Sequence, residues 1–249
     1  MTSTDSIIAD LIAAHHSGGR IADIDLPLSR AQIMLIQSGV SVALGPVAGF
    51  KVGASPDGGL PILSPIQARY VAPDGGTRPT RDRLGIELEV GFTLTRALPA
   101  AALPDRVQDY FQPCIALELV ATRLSPADAE RPDMKFADFQ INAGLVTGPL
   151  MPDWDGSDFT TLPARLSSDR QVVVDGPATV PGGSALANLA LLVTHLGDHC
   201  GGLQVGQTVI TGSLCGLPWF APGEVVTGWI AGLGTVSISV EADRASDTA

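Results

Sequence analysis

The chain of 249 residues combines 45% hydrophobic with only 16% charged residues at a mean hydropathy of +0.26, which excludes global disorder and leaves ample apolar material for a core. Its 28 glycines and 19 prolines are too many for a bundle of long helices and suit short strands joined by turns. A formal net charge of −11 repels phosphate backbones and anionic lipid, so no nucleic acid and no membrane surface is expected as a partner; small molecules or proteins remain.

In chain order, Ile7, Ile8, Leu11 and Ile12 repeat at helical spacing within residues 5–16, and Ser29 with Gln32 signs the start of a second helix that closes at Gly39. VSVALG and VAGFKVGA read as short strands, followed by a polar Gly/Pro-rich stretch around Ser55 to Pro61. The uncharged run from Ala31 to Phe50 is broken by Gln37, Gly39, Gly45, Pro46 and Gly49, which argues against a membrane span. IELEVGFTL alternates strictly: Ile86, Leu88, Val90, Phe92 and Leu94 face one way, Glu87 and Glu89 the other.

Pro104 to Phe111 reads as a short helix leading into the strand CIALELVATR, and LSPADAERPDMKFADFQ as a long polar connection of the kind that borders sites. Ser184 to Leu196, behind Gly182 and Gly183, is a third helix with one apolar face. Beyond it everything reads as β. Glu224 is the only charge between Asp198 and Glu241, so VGQTVITGSLCGLPWF and VVTGWIAGLGTVSISV are expected to be buried strands of one core, before a frayed tail ADRASDTA. Without repeats or linkers, residues 1–249 are expected to form one unit with a helical part over about 1–45 and a β-rich part over about 46–243. The odd, widely spaced Cys114, Cys200 and Cys215 fit neither a disulfide framework nor a zinc module, and MTSTDSIIADL lacks a basic n-region, so the expected location is a reducing cytoplasm.

Glu87 and Glu89, two apart on a strand, place their carboxylates on one face, where they can share a hard divalent cation or simply meet solvent. Glu118 lies in CIALELVATR among apolar neighbours on both faces, and a buried carboxylate requires a cation, Arg or metal. Three glutamates suit Mg²⁺ or Mn²⁺. Lys51, the only charge from Ala31 to Pro56, is either a desolvated acid/base or a lysine whose head reaches water. Thr211, Gly212 and Ser213 form either a plain turn or a set of donors for an anionic group. His195 and His199 have zinc-compatible spacing but no third ligand, and a solvated helix end accounts for them. Trp154, Trp219 and Trp229 are expected in the core or in a pocket wall, and the cysteines as buried small hydrophobes.

GFKVGA, GIELEVGFTL, ALELVATR, the Ala-rich helix with GLQVGQTVITGS, PGEVV and LGTVSISV resemble, in that order, the fumarylacetoacetate hydrolase superfamily, in its 2-keto-4-pentenoate hydratase and 4-oxalocrotonate decarboxylase branch. The resemblance spans about residues 30–242. It implies an α+β fold, a mainly β mixed-sheet roll with peripheral helices, Mg²⁺ or Mn²⁺ on Glu87, Glu89 and Glu118, and Lys51 as the active-site lysine. It also implies that Thr211, Gly212 and Ser213 line the substrate pocket, with Asp138 matching an aspartate near it. Arg69 stands where hydratases carry an aspartate; if it faces the pocket, it favours a dicarboxylate, and otherwise it is a surface arginine. Asn142 and Ala143 match the hydratase Asp-Asn-Ala-Ser run, but Ile141 and Gly144 replace its aspartate and serine. No histidine lies between residues 17 and 194, which disfavours the C–C hydrolase branch.

The implied activity is metal-dependent hydration of a small 2-keto or 2-hydroxydienoic acid, with decarboxylation or tautomerisation as alternatives. A binding or accessory subunit that lost its full catalytic set is a further alternative. A homo-oligomer is expected, with a partner enzyme of the same pathway possible.

Overall fold

A computed structural model describes residues 3–55 and 58–243. Its elements run α1 (Thr4–Ser17), α2 (Arg30–Leu44), β1 (Val47–Gly53), β2 (Ile62–Gln67), β3 (Gly76–Thr80), β4 (Leu84–Leu94), β5 (Phe111–Val120), α3 (Pro132–Ala137), β6 (Asn142–Leu150), β7 (Thr161–Ser167), β8 (Val172–Thr179), α4 (Ala185–His195), β9 (Thr208–Ser213), β10 (Trp219–Phe220), β11 (Val225–Ile230) and β12 (Gly234–Ala242). One sheet runs β2-β1-β9-β4-β5-β6 with β10 beside β4, and a second runs β3-β12-β11-β7-β8. Parallel pairing of β1 with β9 and of β3 with β12, amid antiparallel neighbours, makes both sheets mixed. The α+β reading holds.

Strict alternation requires one covered face, and β4 shows how it is covered. Leu88 and Leu117 point toward the second sheet and fill the space above Gly228 of β11, where a side chain would meet Leu88 at 2.7 Å. The resulting inter-sheet core joins Ile86, Val90 and Phe92 to Leu166, Val226 and Val236. A second core gathers Ile7, Leu11, Ile33, Ile36 and Val40 of α1 and α2 around Met134, Phe136 and Phe139, so the helical part packs on the connection after β5 rather than standing apart.

Several elements differ from the sequence reading. VSVALG continues α2 as helix, because Ile33, Ile36, Gln37, Val40, Ser41 and Leu44 form one buried stripe at helical spacing. Gly39, read as a terminator, instead lets α1 approach: a Cβ there would lie 2.8 Å from Ile8 Cδ1. Pro104–Phe111 contains only a single 3₁₀ turn at Val107–Asp109. The polar connection after β5 contains α3 and buries Met134, Phe136, Ala137 and Phe139. The β7–β8 hairpin, whose strands are interrupted by Pro163 and Pro177 and half exposed, carries too weak an alternation to be read from sequence. The strands after α4 divide between the two sheets and still feed one core, with Val209, Phe220, Val226 and Val236 packed together as the sequence reading expects. Trp154 is buried, but Trp229 is 41% exposed and belongs to neither core nor pocket. Cys114 alone among the cysteines is fully buried. The reading of the tail from Arg244 onward lies outside the described residues. Among those residues no helix is long and apolar enough to cross a membrane.

Candidate metal centre

Register brings the acidic residues together. β4 and β5 pair antiparallel with Glu87 directly opposite Glu118 and Glu89 opposite Ala116, so three carboxylates share one sheet face. One ligand oxygen from each lies within 4.8 Å of the others. Like charges directly opposite across a strand pair are destabilising unless a cation stands between them. Glu89 and Glu118 are buried, with Glu87 half-buried.

Each carboxylate is oriented by the chain. The β4–β9 pairing slips between Glu89 and Gly91, and the bulge turns the Gly212 N–H onto Glu89 Oε2 at 2.5 Å. Gly212 adopts φ +111°, and a Cβ there would lie 2.9 Å from Pro181. Glu118 Oε1 accepts from Lys51 Nζ at 2.5 Å and from Asn142 Nδ2 at 2.9 Å, whereas its Oε2 is buried without a hydrogen-bond partner. Burial and the neighbouring Glu118 push Glu87 up to about 7, against the pull of Lys51, and the same two causes raise Glu89 well above the usual carboxylate range. Burial by itself would depress the Lys51 ammonium, but Glu118, Glu87 and Glu89 outweigh it and hold the group above its ordinary value. One ammonium thus faces three carboxylates, and a divalent cation fits both the charge surplus and the unpartnered Glu118 oxygen.

These groups line a cavity of about 530 Å³ whose walls include Val52, Ile62, Val120, Ile141 and Leu217. The wall at residues 139–141 is unusual: Phe139, Gln140 and Ile141 have φ of +54°, +52° and +55°, a left-handed turn that non-glycine residues, β-branched ones above all, adopt only under strong constraint. The Gln140 carbonyl of this turn accepts from Lys51 Nζ at 3.4 Å. The turn thus adds one carbonyl contact to the lysine, whose shorter bond is to Glu118 Oε1 at 2.5 Å.

Of the residues singled out in the sequence, Lys51, Glu87, Glu89, Glu118, Thr211, Gly212 and Ser213 converge on the cavity. Thr211 Oγ1 donates to the Val90 carbonyl and Ser213 Oγ to that of Gly216, so both hydroxyls also brace the strands. Two expectations are corrected. Arg69 is exposed, lies over the Tyr70 ring and meets His16 rather than the cavity, because the 3₁₀ turn at Ala68–Tyr70 swings it away. Asp138 is buried in a complete salt bridge to Arg123 and touches no cavity, because it holds the turn after α3.

Gly144, in place of the hydratase serine, has φ +147°, and a Cβ there would lie 2.3 Å from the Tyr70 carbonyl oxygen, so a side chain has no room. His195 and His199 are not on one helix: α4 ends at His195, and His199 is buried against Gln37 Oε1 at 2.8 Å, its burial lowering it to about 4. The sequence reading missed Lys135, Gln140 and Asn188, which also line the cavity. A usable signal existed for one of them, since Lys51 and Lys135 are the only lysines in the chain.

No family model matches the chain. A curated relative, 4-oxalocrotonate decarboxylase from Pseudomonas putida, is 23% identical over 183 residues, covering 71% of this chain and 68% of that protein. The solved structure of 4-oxalocrotonate decarboxylase from Pseudomonas putida G7, complexed with magnesium and adipate, matches with a TM-score of 0.78 at 20% identity over 96% of this chain and 99% of that one. The chain has the fumarylacetoacetate hydrolase fold. Fumarylpyruvate hydrolase from Pseudomonas aeruginosa, in complex with Mn²⁺ and pyruvate, shares this fold with a TM-score of 0.58 at 18% identity, covering 78% of this chain and 89% of that one. At these identities the likeness speaks for the fumarylacetoacetate hydrolase architecture, and the chemistry rests on the residues in the cavity.

Proposed function

We propose that the chain is a divalent-metal-dependent enzyme that removes CO₂ from a small 2-oxo acid. The observation that carries this reading is the convergence of Glu87, Glu89 and Glu118 in a mostly apolar cavity beside one ammonium, Lys51. The three glutamates would hold Mg²⁺ or Mn²⁺, which when bound supplies a Lewis acid for the carboxylate and 2-oxo oxygens of such a substrate. The chain supplies the rest. Gly212 and Asn142 orient the carboxylates, and the apolar walls thin the water around a carboxylate about to leave. Loss of CO₂ from the carboxylate remote from the 2-oxo group breaks a C–C bond, and the electron pair left on the adjoining carbon is delocalised through the conjugated chain onto the 2-oxo oxygen. The Lys51 ammonium, held protonated by the glutamates, donates a proton to that carbon and regains one from solvent.

Lys135 reaches the same cavity with no ion-pair partner among the described residues, so a second substrate carboxylate would find a counter-ion there. The relatives support this order of preference, being a curated decarboxylase and a decarboxylase structure with bound adipate. Hydration, the first reading from the resemblance, loses support. Ile141 and Gly144 offer no side-chain acid or base, and a lysine held as ammonium is poorly suited to activating water. Tautomerisation needs only Lys51 and stays open beside decarboxylation, whereas a non-catalytic subunit has no use for a strained wall and unmatched buried carboxylates. The deciding experiment supplies the Mn²⁺-loaded protein with 4-oxalocrotonate and follows CO₂ release together with product identity. Release of CO₂ that stops on chelation is expected; a hydrated product without CO₂ would return the reading to a hydratase.

A further inference from the structure

A second cavity, of about 640 Å³, opens where α1, β3 and the end of β5 meet, and it inverts the charge of the first. Arg20, Arg78, Arg81, Arg83 and Arg123 border it, five of the thirteen arginines in a chain whose net charge is −11. Among the described residues only two of the five are neutralised. Arg123 is bonded to Asp138 at 2.7 Å, and Arg81 lies 3.7 Å from Asp243. Among the described residues, Arg83 donates to the Trp219 carbonyl and has no carboxylate within 4.0 Å, while Asp82 borders the cavity without forming an ion pair.

Arg78 is the informative member. It is half-buried, stacks 4.9 Å over the Tyr70 ring, and has no hydrogen bond or ion pair among the described residues. Burial, only partly offset by Tyr70 and joined by the like charges of Arg123 and Arg69, makes its charge harder to hold. A guanidinium carries five donors in a rigid fork, and leaving them unmatched in a partly desolvated place is costly. Nearby, His15 donates or accepts at Nδ1 with the Tyr70 hydroxyl at 3.0 Å, and its Nε2 is buried without a partner. A fork of donors and a positive surplus on one cavity wall are the complement of an anion with several oxygens.

We propose that this cavity binds a small oxyanion, a molecule bearing a carboxylate or phosphate group, at a site separate from the metal centre. Arg78 provides the central contact, with Arg20 and Arg83 closing on the ligand from the rim. The two cavities meet at consecutive residues of one strand end, Val120 in the first and Ala121 in the second, yet they share no charged side chain. The proposal therefore stands whether or not the decarboxylase reading does.

The test uses full-length protein freed of metal by chelation and then desalted, with the Arg78 and Arg20 variants assigning any binding to the second cavity. Calorimetric titration at low ionic strength with inorganic phosphate, and separately with succinate, should show saturable binding of at least one, and the preferred anion separates a phosphate from a carboxylate ligand. Arg78→Ala should weaken that binding by about tenfold or more, as loss of a charged hydrogen-bonding group does. Arg20→Ala, at an exposed position whose change leaves the fold in place, should weaken it severalfold. Absence of saturable binding of both anions, or affinity unchanged in Arg20→Ala and in a folded Arg78→Ala, would overturn the proposal.

Discussion

Two buried ion pairs flank the end of β5, Lys51–Glu118 on the strand side and Arg123–Asp138 across the connection that follows, and they differ in one respect that separates structure from chemistry. Asp138 meets Arg123 in a closed set: Arg123 N and Nε reach its two carboxylate oxygens at 3.1 and 2.7 Å, and Nη2 donates to its carbonyl at 3.1 Å. Glu118 meets Lys51 at 2.5 Å, but one of its oxygens has no partner and two further carboxylates crowd the same ammonium. Both acids are essentially unexposed. Burial and pairing do not distinguish a site from a brace; the unmatched remainder does.

Breaking each pair should expose the difference. The largest effect is expected for Asp138→Asn, which strands the Arg123 guanidinium and should lower stability by about 3–5 kcal/mol. Denaturant unfolding measures it, and a loss under about 1 kcal/mol would mean that solvent already shares the pair. Glu118→Gln should leave the unfolding midpoint close to wild type while weakening Mn²⁺ binding by about 100-fold or more, because the amide keeps the shape and removes the charge. Unchanged Mn²⁺ affinity in a calorimetric titration would take Glu118 out of the metal centre. Lys51→Met should keep Mn²⁺ binding and lower turnover by roughly 100-fold, the usual cost of a lost general acid.

The pH dependence sharpens the contrast further. In metal-free protein burial and the neighbouring Glu118 make Glu87 hold its proton up to about 7, above its ordinary value of 4.5. The folded state then binds protons that the unfolded chain has released, so the Glu87 contribution is full below about 4.5 and is lost as pH rises toward about 7. Wild-type stability should therefore fall relative to Glu87→Gln across that window, and Mn²⁺ affinity should rise across it as the ligands deprotonate. A wild-type advantage that grows with pH would contradict the desolvated setting of Glu87. The smallest effect belongs to Arg69→Ala, which should change stability by no more than about 0.5 kcal/mol and leave the preference between monoanionic and dianionic substrates untouched. A changed preference would put Arg69 back in the pocket.

Legibility followed the range of the physics involved. The alternation of β4, the caps at Ser29 and Ser184, and the burial of Glu118 in an apolar strand are local, so short windows of sequence carried them. Gly39 misled because its role is a contact with Ile8 on another helix, and Trp229 because its side of β11 faces outward. The family resemblance placed Asp138 and Arg69 beside a site, but whether each turns toward the cavity depends on the 3₁₀ turns at or beside them.

The sequence by itself determined which residues could do chemistry: three glutamates on strands, an isolated lysine and a glycine-bearing turn, since residue type and strand period follow from covalent structure. Only the tertiary structure decided that Glu87 stands opposite Glu118, that a bulge aims Gly212 at Glu89, and that arginines from α1–α2, β3–β4 and β5–α3 connections face one cavity. Register and packing depend on which strands become neighbours, and that is settled by burying the whole apolar surface at once.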